Sequence, residues 1–366
     1  MATYSLCMIV KNEERVLRRC LDSISDLVDE IVIVDTGSTD NTKSIAAEYT
    51  DKIFDFKWVN DFSAARNFSF SKCNMDYIYV ADADEYLDEE NRKQFKILKD
   101  NIYPEIEIVQ MMYETITNDT VLNIYREYRP KLYKRLRSFT WIDPIHETVR
   151  LDPIVFDSDI VVTHAPEANH SKRDFTIFEE ALKRDGVLSE NVAHMYAVEL
   201  YKNGDISDLK NAYEFFYGLI DFDDERISLE ASIVVAKGLR VMNDFDGHTS
   251  FEEFINSNDN SITKASELYF EKGLYYLEKC QYDEASECFR NAVYNSTPVL
   301  DVHSGGDGAL SKLIECCEAT IKQYEEYVEL NGTDEKMESL ITEYQNLIKK
   351  YQIDLSNWKM PEEERK

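Results

Sequence analysis

The chain reads as two architectures in series. A mostly parallel α/β sheet domain is expected over residues 1–166 and an all-α repeat array over residues 167–355, with a charged tail at 356–366. Two patterns carry this. In the first part, short runs of β-branched and aromatic residues alternate with stretches of helical periodicity, which makes a parallel sheet with right-handed crossovers. From Phe175 onward only the helical period persists.

Tyr4 to Val10 reads as the first strand. Lys11-Asn12-Glu13-Glu14 then opens a helix with Val16, Leu17, Cys20, Leu21 and Ile24 at helical spacing. Residues 30–34 form a near-continuous apolar run, the pattern of a strand buried on both faces. It ends in Asp35-Thr36-Gly37-Ser38-Thr39-Asp40, where Gly37 supplies a turn and Ser38, Thr39 or Asp40 caps a helix over residues 41–49. Residues 53–58 read as a third strand, Asp61 begins another helix, and Tyr77 to Val80 is a fourth strand. Residues 104–123 add further strands with Glu105 and Glu107 outward, and residues 160–164 a last one. In an open α/β sheet the loops at the C-terminal ends of parallel strands converge on the ligand. Those loops hold Asn12 and Glu13, then Asp35, then Asp82 and Asp84.

The run at Tyr77 stops abruptly at Asp82-Ala83-Asp84-Glu85. Carboxylates at i and i+2 past a buried strand are hard oxygen ligands that suit Mg²⁺ or Mn²⁺ carried by a phosphate ester. The same residues also suit an acidic helix start. No Gly-rich phosphate loop of the GxGxxG or Walker type is present. A nucleotide here is therefore held by carboxylates, a metal and selected donors.

The net charge of −30 argues against nucleic acid and anionic membrane as partners. Seven cysteines without CxxC spacing read as buried thiols of a reducing compartment, not a disulfide framework or zinc site. No signal peptide and no apolar stretch of bilayer length is seen, so a cytoplasmic protein is expected.

The segments Leu6-Cys7-Met8-Ile9-Val10-Lys11-Asn12-Glu13, Val34-Asp35-Thr36-Gly37-Ser38-Thr39-Asp40, Asp61-Phe62 with Arg66-Asn67, and Asp82-Ala83-Asp84-Glu85 resemble the family 2 inverting glycosyltransferases with a GT-A fold. The resemblance implies a UDP-sugar donor bound by Val10, Asn12, Glu13, Asp35, Gly37, Arg66, Asp82, Ala83, Asp84 and His146. It puts Asp35 at the uracil, Glu13 near the uridine, Asp82 at the ribose or the metal, and Asp84 at the metal and diphosphate, with His164 completing the metal site for Mn²⁺ or Mg²⁺. Asp35 also suits a helix-start turn, and His164 a hydrogen-bonded structural role. Arg126, Arg129, Lys131, Lys134, Arg135 and Arg137 form a basic cluster, read as a solvated strand face or as a diphosphate or acceptor contact. Inverting transfer needs a general base for the acceptor. In Trp141-Ile142-Asp143-Pro144-Ile145-His146-Glu147, Glu147 is the first candidate and Asp143 the second.

Residues 267–298 match a tetratricopeptide repeat through Tyr269, Gly273, Tyr276, Tyr282, Ala285, Phe289 and Ala292. Ala197, Leu200, Gly204, Ala212 and Phe216 give a looser copy, and Gly238 belongs to a third. Residues 246–261 read as an exposed loop. Repeat arrays form concave surfaces suited to extended peptides. The combination resembles bacterial protein glycosyltransferases, which implies a polypeptide acceptor (Ser/Thr or Cys) held by the repeats, and a homodimer is a further expectation. A lipid-linked or surface polysaccharide acceptor is the second reading, and a non-enzymatic repeat scaffold the third.

Overall fold

The computed structural model describes residues 2–115, 126–135, 141–145, 148–149, 153–165, 171–242, 249–257, 264–332 and 335–359. By its internal contacts the chain divides into two compact units between Val192 and Ala193.

The first unit is built on one eight-stranded sheet. Its strands are β1 (Tyr4–Val10), β2 (Glu30–Asp35), β3 (Ile53–Asp55), β4 (Tyr77–Val80), β5 (Glu85–Tyr86), β6 (Ile108–Thr115), β7 (Arg126–Lys134) and β10 (Val155–His164), in the order β3-β2-β1-β4-β7-β6-β10-β5. The two short strands β8 (Trp141–Ile142) and β9 (Thr148–Val149) form a separate antiparallel pair. The first four strands are parallel, as expected. Beyond β4 the sheet is mixed: β7 runs antiparallel to both β4 and β6. β10 is parallel to β6, and β5 is antiparallel to β10.

β1 and β4 are buried along nearly their whole length, which their unbroken apolar runs dictate. Helices α1 (Leu17–Ile24), α2 (Thr42–Ala46), α3 (Phe62–Phe70) and α4 (Glu89–Asn101) connect the strands. α1 buries Leu17, Cys20, Leu21 and Ile24, the i, i+3, i+4, i+7 stripe of its sequence. On the same face of the sheet, Tyr4 and Tyr79 both meet Phe95 edge-on, at centroid distances of 5.7 and 5.0 Å. Burying each such ring contributes about 2–3 kcal/mol.

Three local expectations shift. α1 begins at Leu17 rather than near Lys11, because Asn12 is left-handed (φ 57°) and the chain from 11 to 16 is a turn. β3 ends at Asp55, short of Trp58. Glu107 is buried, not outward, and its carboxylate accepts from Ile154 N at 3.2 Å.

Helix α5 (Ser171–Asp185), placed with the repeats by a boundary at 166, groups with the sheet. Asn60 Nδ2 donates to Glu180 at 2.6 Å, and the Arg173 guanidinium lies 5.0 Å from the Phe62 ring centre.

The second unit is helical. Ser266–Glu278 and Tyr282–Tyr294 are joined by a three-residue turn, the connection of antiparallel neighbours. Gly273 faces the Phe289 ring, and a Cβ there would come within 2.6 Å of it, so the pair approaches as closely as a tetratricopeptide helix pair requires. Ala285, Phe289 and Ala292 are fully buried. Ile206–Tyr217 carries a capping box between Asp205 and Asp208 and buries Leu209, Ala212 and Phe216. The stretch expected as an exposed loop contains the helix Phe251–Ser257, whose Phe251, Phe254 and Ile255 are buried. Six of the seven cysteines are buried; Cys280 is exposed in the turn.

Candidate functional site

The site forms where the β1, β2 and β4 ends meet. Two loops are tied together there. Asn12 Oδ1 accepts from Thr39 N at 2.8 Å, and Asn12 N donates to Ser38 Oγ at 2.9 Å. Glu13 N donates to Thr42 Oγ1 at 2.7 Å, and Glu14 Oε2 accepts from Asn41 N at 3.0 Å. Val10 O accepts from Thr36 N at 3.0 Å. These bonds use the polar side chains of both loops to satisfy backbone groups at the strand ends. Asp35 is buried, and its carboxylate accepts from Gly37 N at 3.1 Å and Ser38 N at 3.0 Å. It is an Asx-type turn residue, and Gly37 beside it has φ 105°. Asp40, one residue before the α2 N-cap Asn41, accepts from Thr42 N at 2.9 Å.

At the β4 mouth, Asp82, Asp84 and Glu85 are sorted by their partners. Glu85 is buried, and Lys131 of β7 reaches both its oxygens, at 2.5 and 2.7 Å. Burial still raises its carboxyl above the ordinary range. Loss of surrounding water works to raise Asp82 as well. The cations Arg66 and Lys131 outweigh it and hold Asp82 below the ordinary range. Arg66 Nη2 lies 3.6 Å from Asp82 Oδ1.

Asp84 Oδ2 lies 3.0 Å from His164 Nε2. The imidazole is fixed from behind by Thr115 Oγ1, 3.3 Å from Nδ1, and stacks on Tyr113 at a centroid distance of 5.1 Å. The Arg129 guanidinium also lies over the Tyr113 ring, 3.8 Å from its centre.

A cleft of about 520 Å³ opens over these loops. Val10, Asn12, Glu13 and Asp84 line it, with Trp58 and Phe62 forming an aromatic wall and Arg173 reaching in from α5. Trp58 meets Phe62 edge-on at 4.8 Å. Glu13 is pushed up to about 7, by burial first and then by the like charges of Asp84 and Asp82; Arg173 opposes the rise. Three of the four left-handed non-glycine residues among the described residues, Asn12, Asn60 and Asp143, belong to the loops around this end of the sheet. Asn and Asp tolerate that conformation best, and strained backbone gathers at functional sites.

The expected metal ligands come together in part. Asp84 and His164 are in contact, while Asp82 turns to Arg66. Among the described residues, no three His, Cys, Asp or Glu side chains converge as a metal cage. A cation that arrives on a diphosphate needs only one or two protein ligands, so a carboxylate beside an imidazole fits Mn²⁺ or Mg²⁺.

The basic cluster does not hold together. Lys131 and Arg129 stand near the mouth, whereas Lys134 bonds Pro104 O and Arg135 Nε donates to Met75 O at 2.6 Å, toward the opposite end of β4. Arg137, His146 and Glu147 lie outside the described residues. Asp143 is left-handed (φ 70°), and its Oδ1 accepts from Ser189 Oγ at 3.3 Å. Neighbouring Pro144 O accepts from Phe62 N at 2.7 Å, which ties this segment to the aromatic wall. Sequence reasoning missed Trp58, Tyr113 and Arg173. Only Trp58 carried a signal, as a large aromatic just past a strand.

Residues 5–147 match the family described as Glycosyl transferase family 2. The SPbeta prophage-derived glycosyltransferase SunS of Bacillus subtilis is 34% identical over 138 residues, 37% of this chain and 30% of its own length. A TPR repeat-containing protein of Synechococcus elongatus is 51% identical over 87 residues, 24% of this chain and 22% of its own. The chain thus matches less than a third of the length of either relative. An uncharacterized glycosyltransferase of Rickettsia bellii is 27% identical over 209 residues, covering 54% of this chain and 66% of that protein. Among solved structures, glucosyl-3-phosphoglycerate synthase from Mycobacterium tuberculosis in complex with Mn²⁺, UDP-glucose and phosphoglyceric acid is similar with a TM-score of 0.40 and 17% identity, over 52% of this chain and 82% of that one. The match to glycosyl transferase family 2 runs from β1 to the segment that holds Asp143, over the sheet whose strand ends form this site.

Proposed function

We propose that the protein is a divalent-cation-dependent inverting glycosyltransferase that moves glucose or N-acetylglucosamine from a UDP-sugar to a Ser, Thr or Cys of a polypeptide. The observation that carries this reading is Asp84. It stands at the C-terminal mouth of β4, borders the cleft and is oriented by His164. When bound, Mn²⁺ or Mg²⁺ supplies positive charge to the departing diphosphate. The chain's own residues do the rest. Asp84 and His164 would hold the cation, the tied loops at Asn12 and Thr36 would shape the nucleoside end, and the aromatic wall of Trp58 and Phe62 would exclude water. The acceptor proton needs a base, for which Glu147 stands first and Asp143 second.

The helical second unit supports a polypeptide acceptor, because a repeat array presents an extended surface suited to an unfolded segment. The test is donor hydrolysis and transfer with the full chain, UDP-glucose and UDP-N-acetylglucosamine, with and without Mn²⁺. A Cys- and Ser-bearing peptide and a lipid-linked acceptor are compared. Mn²⁺-dependent transfer to the peptide is expected. Transfer to the lipid alone assigns the acceptor differently, and no hydrolysis of either donor sinks the enzyme reading. Glu147→Gln is expected to cut turnover about 10²- to 10⁴-fold with donor affinity kept, and Asp143→Asn is its control.

A further inference from the structure

We propose that Arg173 of α5 is a donor-binding residue that donates to a phosphoryl oxygen of the nucleoside diphosphate. The inference rests on the UDP-sugar reading above and assigns a residue to it. Arg173 lies outside residues 5–147, yet its side chain lines the same cleft as Glu13 and Asp84.

The charges in the cleft explain why a cation is needed at this point. Asp40 and Glu14 are occupied in holding the loops: Asp40 accepts from Thr42 N and Glu14 N, and Glu14 accepts from Asn41. Glu13 and Asp84 remain on the cleft wall, where the charge of Asp84 raises the cost of ionising Glu13. One divalent cation at Asp84 only balances the diphosphate of a UDP-sugar, and the UDP that leaves carries one more negative charge, beside the carboxylates Glu13, Glu14, Asp40 and Asp84; Lys11, Arg15 and Arg173 are the cations that line the cleft with them. Arg173 is the α5 cation that lines the cleft with Glu13, and its charge opposes the rise of that carboxyl. Its planar fork suits phosphoryl oxygens, and it is already oriented. Nε donates to Asp174 at 2.9 Å, and the guanidinium rests on the Phe62 ring. α5 itself is latched to the loop before α3 by the Asn60–Glu180 hydrogen bond and by Arg184, 4.0 Å from Asp61. The arginine is therefore carried on a braced helix rather than a free arm.

The experiment is calorimetric titration of the full chain with UDP and with uridine, each in Mn²⁺. The variants are Arg173→Gln, which keeps the stem over Phe62 without the charge, and Arg173→Lys, which keeps the charge. A charge-assisted hydrogen bond to phosphate predicts a 10- to 100-fold loss of UDP affinity in Arg173→Gln. Uridine affinity should stay within about 2-fold and Arg173→Lys should recover part of the loss. Unchanged UDP affinity overturns the assignment. So does an equal fall for UDP and uridine, which makes Arg173 a wall residue that only holds Phe62. Wild-type protein that binds neither probe overturns the UDP-donor reading itself, and this inference with it.

Discussion

Two glutamates at opposite ends of one parallel strand pair meet opposite fates. Glu30 begins β2, across from Ser5 of β1. It is buried, and burial alone would raise its carboxyl. Hydrogen bonds from Asn74 N (2.7 Å), Asn74 Nδ2 (3.0 Å), Lys52 and Ser5 Oγ (2.5 Å) reverse that and bring it down to about 2. Glu13 follows the other end of β1, where burial and two neighbouring carboxylates push it up to about 7. One end of the sheet satisfies its carboxylate fully. The other leaves Glu13 facing the like charges of Asp84 and Asp82, with Arg173 in opposition. The first arrangement stabilises the fold, and the second stores the cost that ligand binding relieves.

Breaking the mouth at Asp84 should have the largest effect. Asp84→Ala is expected to lower transfer 10²-fold or more, with the urea midpoint unchanged. A variant with near wild-type turnover would move the metal site elsewhere. The opposite end comes next. Glu30→Gln should cost about 2–3 kcal/mol at pH 7 while turnover per folded molecule is kept. Because folding lowers the Glu30 pKa, its contribution is complete above about pH 4.5 and fades as pH falls toward 2. The gap between wild type and Glu30→Gln in urea unfolding should close over that window, and a pH-independent gap would refute the charge argument.

A smaller effect is expected at the support behind the site. Tyr113→Leu removes the ring on which His164 stacks, and should raise the Mn²⁺ concentration needed for half-maximal activity about 10-fold with less change in kcat at saturation. The smallest is Glu13→Gln. A carboxyl raised by folding costs nothing below its unfolded pKa near 4.5 and its full penalty above about 7. The variant should therefore be as stable as wild type at pH 4.5 and about 1 kcal/mol more stable at pH 8. Equal gains at both values would show that packing, not charge, is responsible.

How much of this was legible depended on the range of the interaction. The Asp82-Ala83-Asp84-Glu85 run marked the mouth of β4 because carboxylates following a buried strand have few other places to go. The sequence could not divide their labour, since Lys131, Arg66 and His164, which sort them, come from three other elements. The six basic residues from 126 to 137 looked like one patch. β7 spreads the described ones along the sheet, because a strand separates neighbours by about 3.3 Å each and alternates their faces.

Strand and helix alternation, the tetratricopeptide spacing around Gly273 and the mouth carboxylates are properties of local periodicity and residue type, which a sequence carries directly. Burial of Glu107, the turn of Asp82 toward Arg66 and the stacked support of His164 by Tyr113 and Arg129 are not. Neither is the return of α5 to place Arg173 in the cleft, far along the chain from Glu13. Each depends on which element packs against which, and the charge or aromatic ring that completes the site is brought by tertiary packing from residues whose own neighbours in sequence say nothing of it.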